Sequence, residues 1–340
     1  MASRNHHAAR GSRRVRLGDP VLDRYLEFVE SRSRHNTLLA TASDLKAFFA
    51  IVDKPAVTVT PTDVFAFITE QRKAKGDGKV VRLVDGEAGL SARTIQRRLS
   101  SVSGLFSYLV LCGDVTANPV PRGLATRRGG RRGSVLIRSP RTLPKILSPD
   151  EVNALLAALR MHRDRAMVEA MLLGGLRRCE VLGLRFEDLR PGENQVFVAN
   201  GKGGHQRLVP MSPRFFRSLS AYLERERPAE ATTKYVFVAL KSQRRGQPLA
   251  DDGLDKIVLN AKNRARLLHC TCHELRHTCL TRLREAGMAL EAIQAQAGHR
   301  SLDSTRLYLH LANDWLAAEY VRAASLIDAG AASELQAVAR

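Results

Sequence analysis

The chain has 340 residues, with 54 Lys and Arg against 34 Asp and Glu and a formal net charge of +20 at pH 7. That length suggests about two domains, and a hydrophobic content of 44% builds ordinary cores, which excludes disorder throughout. No apolar stretch approaches the ~18 residues of a membrane span, and the basic N-terminus lacks the apolar region of a secretory signal.

Residues 1–18 read as a basic arm, carrying Arg4, Arg10, Arg13, Arg14 and Arg16 and no acid. From Pro20 to about Gly113 the apolar pattern is helical. Leu22, Tyr25, Leu26 and Val29 share a face, as do Leu45, Phe48 and Phe49 in the next segment. Thr60-Pro61-Thr62-Asp63 signals a helix start before Val64, Phe65, Phe67 and Ile68. Lys75 to Gly89 reads as a loop, and Ser91 caps a long helix through Ile95, Leu99, Val102, Leu105, Phe106 and Leu109. Arg93, Arg97 and Arg98 fall on the opposite face of that helix, within about a turn of each other. Four helices give a small all-α domain over residues 19–113.

Residues 114–146 read as a basic linker, and the stretch from Arg122 to Lys145 has eight cations and no acid. Among them Arg127, Arg128, Arg131 and Arg132 lie between glycines, where no core packs. A second domain, residues 147–330, opens on Ser148-Pro149-Asp150-Glu151, a capping box with Pro at the first helical position. Two helices follow, the first ending before Gly174-Gly175. The runs Gln195–Ala199 and Gln206–Pro210, separated by Asn200-Gly201-Lys202-Gly203-Gly204, read as a hairpin. The remainder to about Ile327 is mostly helical, with a possible short strand at Tyr235–Val238, and residues 331–340 form a tail. The fold class is mainly α, with a small antiparallel sheet inside a C-terminal α+β domain.

The two polycationic runs account for 13 of the positive charges and flank or join folded segments. Such segments are drawn to polyanions, and each phosphate contact releases condensed counterions from nucleic acid. Aromatic residues make up only 5% of the chain, too few for a reader that stacks single-stranded bases, which favours a duplex backbone. Five cysteines, an odd number, read as reduced intracellular thiols and not as a disulfide framework.

Four separated segments of the second domain hold unusual polar residues. They are Gly175-Leu176-Arg177 with Glu180 three positions on, the glycine-flanked Lys202, His273-Glu274-Leu275-Arg276-His277, and Gly298-His299-Arg300-Ser301 followed by Tyr308. Each alone has a plain structural explanation. Together, in this order, they resemble the boxes of the tyrosine recombinase (phage integrase) family. The catalytic domain resembles that family closely. The N-terminal helices are similar, less specifically, to its four-helix, SAM-like core-binding domain. The chain departs from the family pattern at Cys272, where Pro is usual, at Ala297, often Leu, and at His205, where a second hairpin Lys is common. None of these removes a catalytic group, although hairpin contacts to DNA are open to change.

The resemblance implies a site-specific recombinase acting on duplex DNA. Arg177 and Arg276 suit the work of donating forked hydrogen bonds to the non-bridging oxygens as charge develops on them. Tyr308 would supply the attacking oxygen, giving a 3′-phosphotyrosyl link and a free 5′-hydroxyl. Lys202 suits the general acid, His273 the acid–base partner on one helix face with Arg276, and His299 a hydrogen bond to the phosphate. Glu180 orients Arg177 or braces the core; both readings stand. Neither a metal nor another cofactor is required, because the arginines do the Lewis-acid work and the covalent bond stores the phosphodiester. Arg93, Arg97, Arg98 and the linker arginines are candidate DNA contacts. The expected partners are a recombination site and three further copies in a tetramer, with a second recombinase or accessory protein possible, and no membrane. The expected compartment is the cytoplasm, with the nucleoid. The amphipathic segment Asn313–Ile327 either packs on its own domain or docks on a neighbouring protomer.

Three other readings compete with this one. His273-Glu274-Leu275-Arg276-His277 satisfies the H-E-x-x-H zinc word, but Arg276 would set a cation beside the metal. Cys270 and Cys272 lack the paired second cluster of a structural zinc site. A type IB topoisomerase-like nicking and resealing enzyme would share the pocket, and a non-catalytic DNA-binding protein would need no intact set of polar residues.

Overall fold

The computed structural model describes residues 15–73, 89–121, 136–137, 144–199 and 206–298. The chain divides into two compact units, Met1–Arg141 and Thr142–Arg340.

In the first unit α1 (Pro20–Arg32), α2 (His35–Val52), α3 (Pro61–Arg72) and α4 (Ala92–Cys112) form the expected four helices. Their ends follow the local chemistry. Asp19 accepts from the amides of Val21 and Leu22, Thr60 and Asp63 form a capping box, and the Ser91 hydroxyl accepts from Thr94. Gly113 then ends α4 in the left-handed conformation at φ 79°. The apolar stripes meet in one core where Leu45, Phe48, Phe67, Ile95, Leu105 and Phe106 are fully buried. Phe48 and Phe67 pack edge to face with centroids 5.0 Å apart.

The second unit is built around α6. Here α5 (Pro149–Ala157) and α6 (His162–Gly174) are followed by the short α7 (Arg178–Leu182). The sheet is β1 (Leu189–Arg190), β2 (Gln195–Val198) and β3 (Arg207–Pro210), antiparallel in the order β1-β2-β3, with Val196 opposite Val209 and Val198 opposite Arg207. Then come α8 (Pro213–Arg225), α9 (Gly253–Arg264), α10 (Cys272–Glu285) and α11 (Leu290–Ala297). Ala166, Met167, Val168, Ala170 and Met171 bury α6 on several sides, with α8 and α10 packed against it. The charged residues it buries are partnered, Arg163 with Asp164 and Glu169 with Arg214, as burial of charge requires.

Three readings differ in detail. The helix expected to run to Gly174 is interrupted between Ala157 and His162, and Glu226 reaches from the end of α8 to accept from the amides of His162 (2.8 Å) and Arg163 (2.9 Å) at the restart. A long-range carboxylate caps α6 where no local cap exists. Tyr235–Val238 is not a strand but two isolated bridges, Arg185 to Tyr235 and Val238 to Pro248. The segment's backbone groups find other partners: the Tyr222 hydroxyl donates to the Val236 carbonyl and accepts from the Val238 amide, both at 3.2 Å, and the Val236 amide donates to the Leu184 carbonyl. Strand β1 is an addition: at two residues it is too short to leave a periodic pattern. All five cysteines are free thiols. No described helix is long and apolar enough to cross a membrane. Most of the arm and the linker, and all of segment Asn313–Ile327, lie outside the described residues.

Candidate active site

The site assembles where α6, α7, β3, α10 and α11 meet. Both α6 and α11 end on a left-handed glycine, Gly175 at φ 65° and Gly298 at φ 60°, which leaves helix-end carbonyls pointing outward unpaired by the helix. Arg276, projecting from α10, spans both ends. Its Nη1 donates to the Gly175 carbonyl, and its Nη2 donates to the Ala297 carbonyl at 2.6 Å. A guanidinium suits this position because helix C-termini carry partial negative charge. Its side chain is 3% exposed.

Arg177 is the N-cap residue of α7. Its backbone amide donates to Glu180 Oε2 at 2.9 Å and its Nη1 to Glu180 Oε1 at 2.8 Å, while its Nη2 donates to the Gly298 carbonyl at 3.2 Å. Glu180 is therefore both the local cap partner and the anchor of the side chain, and its own side chain is fully buried. Arg207, the first residue of β3, closes the other side of that carboxylate. Nη1 lies 3.0 Å from Oε1 and Nη2 2.8 Å from Oε2. Arg276 Nη1 is 4.0 Å from Oε2.

Three cations thus surround one carboxylate. Burial alone would raise the Glu180 pKa, but the hydrogen bonds and charge of Arg207, then those of Arg177, outweigh it and bring it down to about 2. The carboxylate stays ionised and the cluster retains excess positive charge, which an incoming anion can meet. His273 is on the outer part of α10. Burial lowers its pKa, the charges of Arg276 and Arg177 act in the same direction, and Glu274 opposes them. His277 packs edge to face on His273, with centroids 4.2 Å apart. Burial, then His273 and Arg276, bring its pKa down to about 4. Both imidazoles are therefore neutral near pH 7, able to accept at one nitrogen and donate from the other.

Of the sequence candidates, Arg177, Glu180 and Arg276 are brought together, with His273 within electrostatic reach of both arginines. Lys202, His299 and Tyr308 lie outside the described residues, as do Arg127, Arg128, Arg131 and Arg132. In the first unit Arg93 is exposed. Arg97 and Arg98 both turn toward buried Asp44, Arg97 at 2.6 Å and Arg98 at 4.0 Å, and Arg98 also donates to Gln71. These two carry an intramolecular partner that a helical-face count does not reveal. The sequence reading also gave Arg207 no role. Its carboxylate partner lies 27 residues away in the sequence, so no local pattern pairs the two. Among the described residues no three His, Cys, Asp or Glu side chains gather as metal ligands. Burial pushes the Cys270 and Cys272 thiols up to about 12.

The site is thus a cluster of three arginines around one buried carboxylate, in a mainly helical unit with a small sheet, and the other unit of the chain is a four-helix domain. Residues 145–314 match the Phage integrase family and residues 22–113 the phage integrase N-terminal SAM-like domain. The chain belongs to the phage integrase family, the tyrosine recombinases, enzymes that cleave and rejoin DNA in site-specific recombination. Tyrosine recombinase XerC of Thermodesulfovibrio yellowstonii is 30% identical over 295 residues, covering 84% of this chain and 89% of that protein. The Tn1549 transposon integrase with transposon right-end DNA superposes with a TM-score of 0.65 at 20% identity, over 89% of this chain and 99% of that one. A lambda integrase tetramer bound to a Holliday junction gives 0.60 at 21%, over 84% and 76% respectively.

Proposed function

We propose that this recombinase breaks and reseals duplex DNA through Tyr308, with Arg177, Lys202, His273, Arg276 and His299 as its catalytic set and Glu180 in support. The Tyr308 oxygen forms a bond to the scissile phosphorus and the bond to the 5′-oxygen breaks. The phenolic proton passes to His273, and Lys202 protonates the departing 5′-oxygen, which leaves as a free 5′-hydroxyl. Resealing is the reverse, so the phosphodiester is conserved and no nucleotide is consumed. Arg177 and Arg276 compensate the charge that grows on the non-bridging oxygens, where fixed donors need no reorganisation. His299 adds a hydrogen bond to the same oxygens.

The observation that carries this reading is the common anchoring of Arg177 and Arg276, one on Glu180 and the Gly298 carbonyl, the other on the carbonyls of Gly175 and Ala297. Two guanidiniums fixed in place beside neutral histidines suit a pentavalent phosphorane better than a metal ion or a thiol nucleophile. The reading also includes a tetramer on a recombination site, with a second recombinase or accessory protein admitted. The basic arm at residues 1–18 and the linker at 114–146 track the DNA backbone, the helices of 19–113 and Arg93 lie on the duplex, and the protein works in the cytoplasm on the nucleoid. A recombinase is favoured over a nicking and resealing topoisomerase by the SAM-like match in the N-terminal unit. The test is a nicked suicide substrate: a covalent adduct mapping to Tyr308 and carrying a 3′-phosphate is expected, and an adduct on any other residue overturns the assignment.

A further inference from the structure

We propose that Arg207 is a positioning residue for the strand-cleavage reaction, acting through Glu180 on Arg177 and tying the base of the strand after Lys202 to the end of α11. This rests on the reading above, in which Arg177 meets the scissile phosphate. Three contacts carry it. The guanidinium forks onto both Glu180 oxygens at 3.0 and 2.8 Å, so it fixes the plane of the carboxylate that in turn holds Arg177. Its Nε donates to the Gln296 carbonyl at 3.1 Å. Its shaft lies flush on Gly298, where an added Cβ would come within 3.0 Å of Nη1.

Gln296 closes the arrangement from the far side, its side-chain amide donating to the carbonyls of Gly174 (3.0 Å) and Pro210 (3.1 Å). One arginine therefore links three segments that each adjoin a proposed catalytic residue: α7 beside Arg177, β3 five residues after Lys202, and α11 immediately before His299. Among the described residues the charged groups facing Glu180 are Arg177 from the α7 cap, Arg207 from β3 and Arg276 from α10. Without Arg207 the largest influence holding that carboxylate ionised is lost, and its burial then favours the protonated form. A protonated Glu180 no longer accepts from Arg177 on both sides.

The test compares wild type, Arg207→Lys, Arg207→Gln and Tyr308→Phe in the full-length protein, measuring duplex binding and single-turnover cleavage of the suicide substrate from pH 5 to 9. Arg207→Gln is expected to bind duplex within a fewfold of wild type and cleave about a hundredfold more slowly. Its rate should also fall on the acid side, where wild type stays flat with respect to Glu180. Arg207→Lys keeps the charge but not the fork, and should cleave at an intermediate rate with a partial acid limb. Both variants cleaving at the wild-type rate, or slowing with a pH profile parallel to wild type, would overturn the inference. If Arg207→Gln fails to fold, Arg207→Lys decides by the same criteria. A wild-type adduct that survives Tyr308→Phe would instead sink the underlying catalytic reading, an outcome independent of the Arg207 profile.

Discussion

Arg177 meets Glu180 twice, through its backbone amide at 2.9 Å and its Nη1 at 2.8 Å. The same carboxylate thus starts α7 and aims the side chain that precedes it. Local helix capping and site geometry are one interaction here. A three-residue spacing gives Arg-x-x-Glu its meaning because an N-cap residue and the third helical residue face each other.

Replacing Arg177 with Ala should slow cleavage about a thousandfold while changing duplex affinity only a fewfold. One cation among many matters little for binding and much where charge develops in the transition state. Single-turnover rates and binding titrations on the same DNA check this, and equal losses in both would remove the assigned role.

Tyr308→Phe should abolish the covalent adduct with duplex binding largely intact, since only the phenolic oxygen is removed. Gel detection of adduct, beside a mobility shift with the same substrate, reads both quantities.

Acid should destabilise the second unit in two windows. His277 has its pKa down at about 4 against an ordinary 6.5, so the unfolded chain takes up that proton first. Stability from keeping it neutral is lost as pH falls from about 6.5 to about 4. Glu180, held near 2 against an ordinary 4.5, contributes stability that is present above its unfolded value and lost as pH falls from there towards 2. Thermal melts across this range should show both declines, and His277→Gln should flatten only the upper one. A melting temperature constant from pH 7 to 4 contradicts the argument.

In the first unit, Asp44 is 1% exposed in its side chain and holds Arg97 at 2.6 Å and the Ser101 hydroxyl at 2.9 Å. Asp44→Ala should cost that unit about 2 kcal/mol, the scale of a broken charge-assisted hydrogen bond with its donors left partly buried. Exposed Arg93→Gln should change stability by less than about 0.5 kcal/mol. Chemical denaturation midpoints separate the two.

Removing residues 1–16 takes away five arginines. The slope of log affinity against log salt should shrink by up to about 4.5 if each neutralises one phosphate of B-form DNA. Titrations at several salt concentrations measure it, and an unchanged slope would place the arm off the DNA.

The amino-acid sequence by itself determined the helical first unit, the caps at Ser91, Thr60 and Ser148, the β2–β3 hairpin and the order of the polar words, because each depends on residues within a few positions of one another. It also determined that Arg177 and Glu180 belong together, since their spacing is local. Only the tertiary structure decided that Arg207 shares that carboxylate, that Glu226 caps α6 across 64 residues, and that Asp44 takes Arg97 from 53 residues away. It also decided that Arg276 is seated on two helix ends. Side-chain period and capping are properties of a short stretch of backbone. Which buried charge finds which partner depends on how separate elements pack, and no local pattern records that.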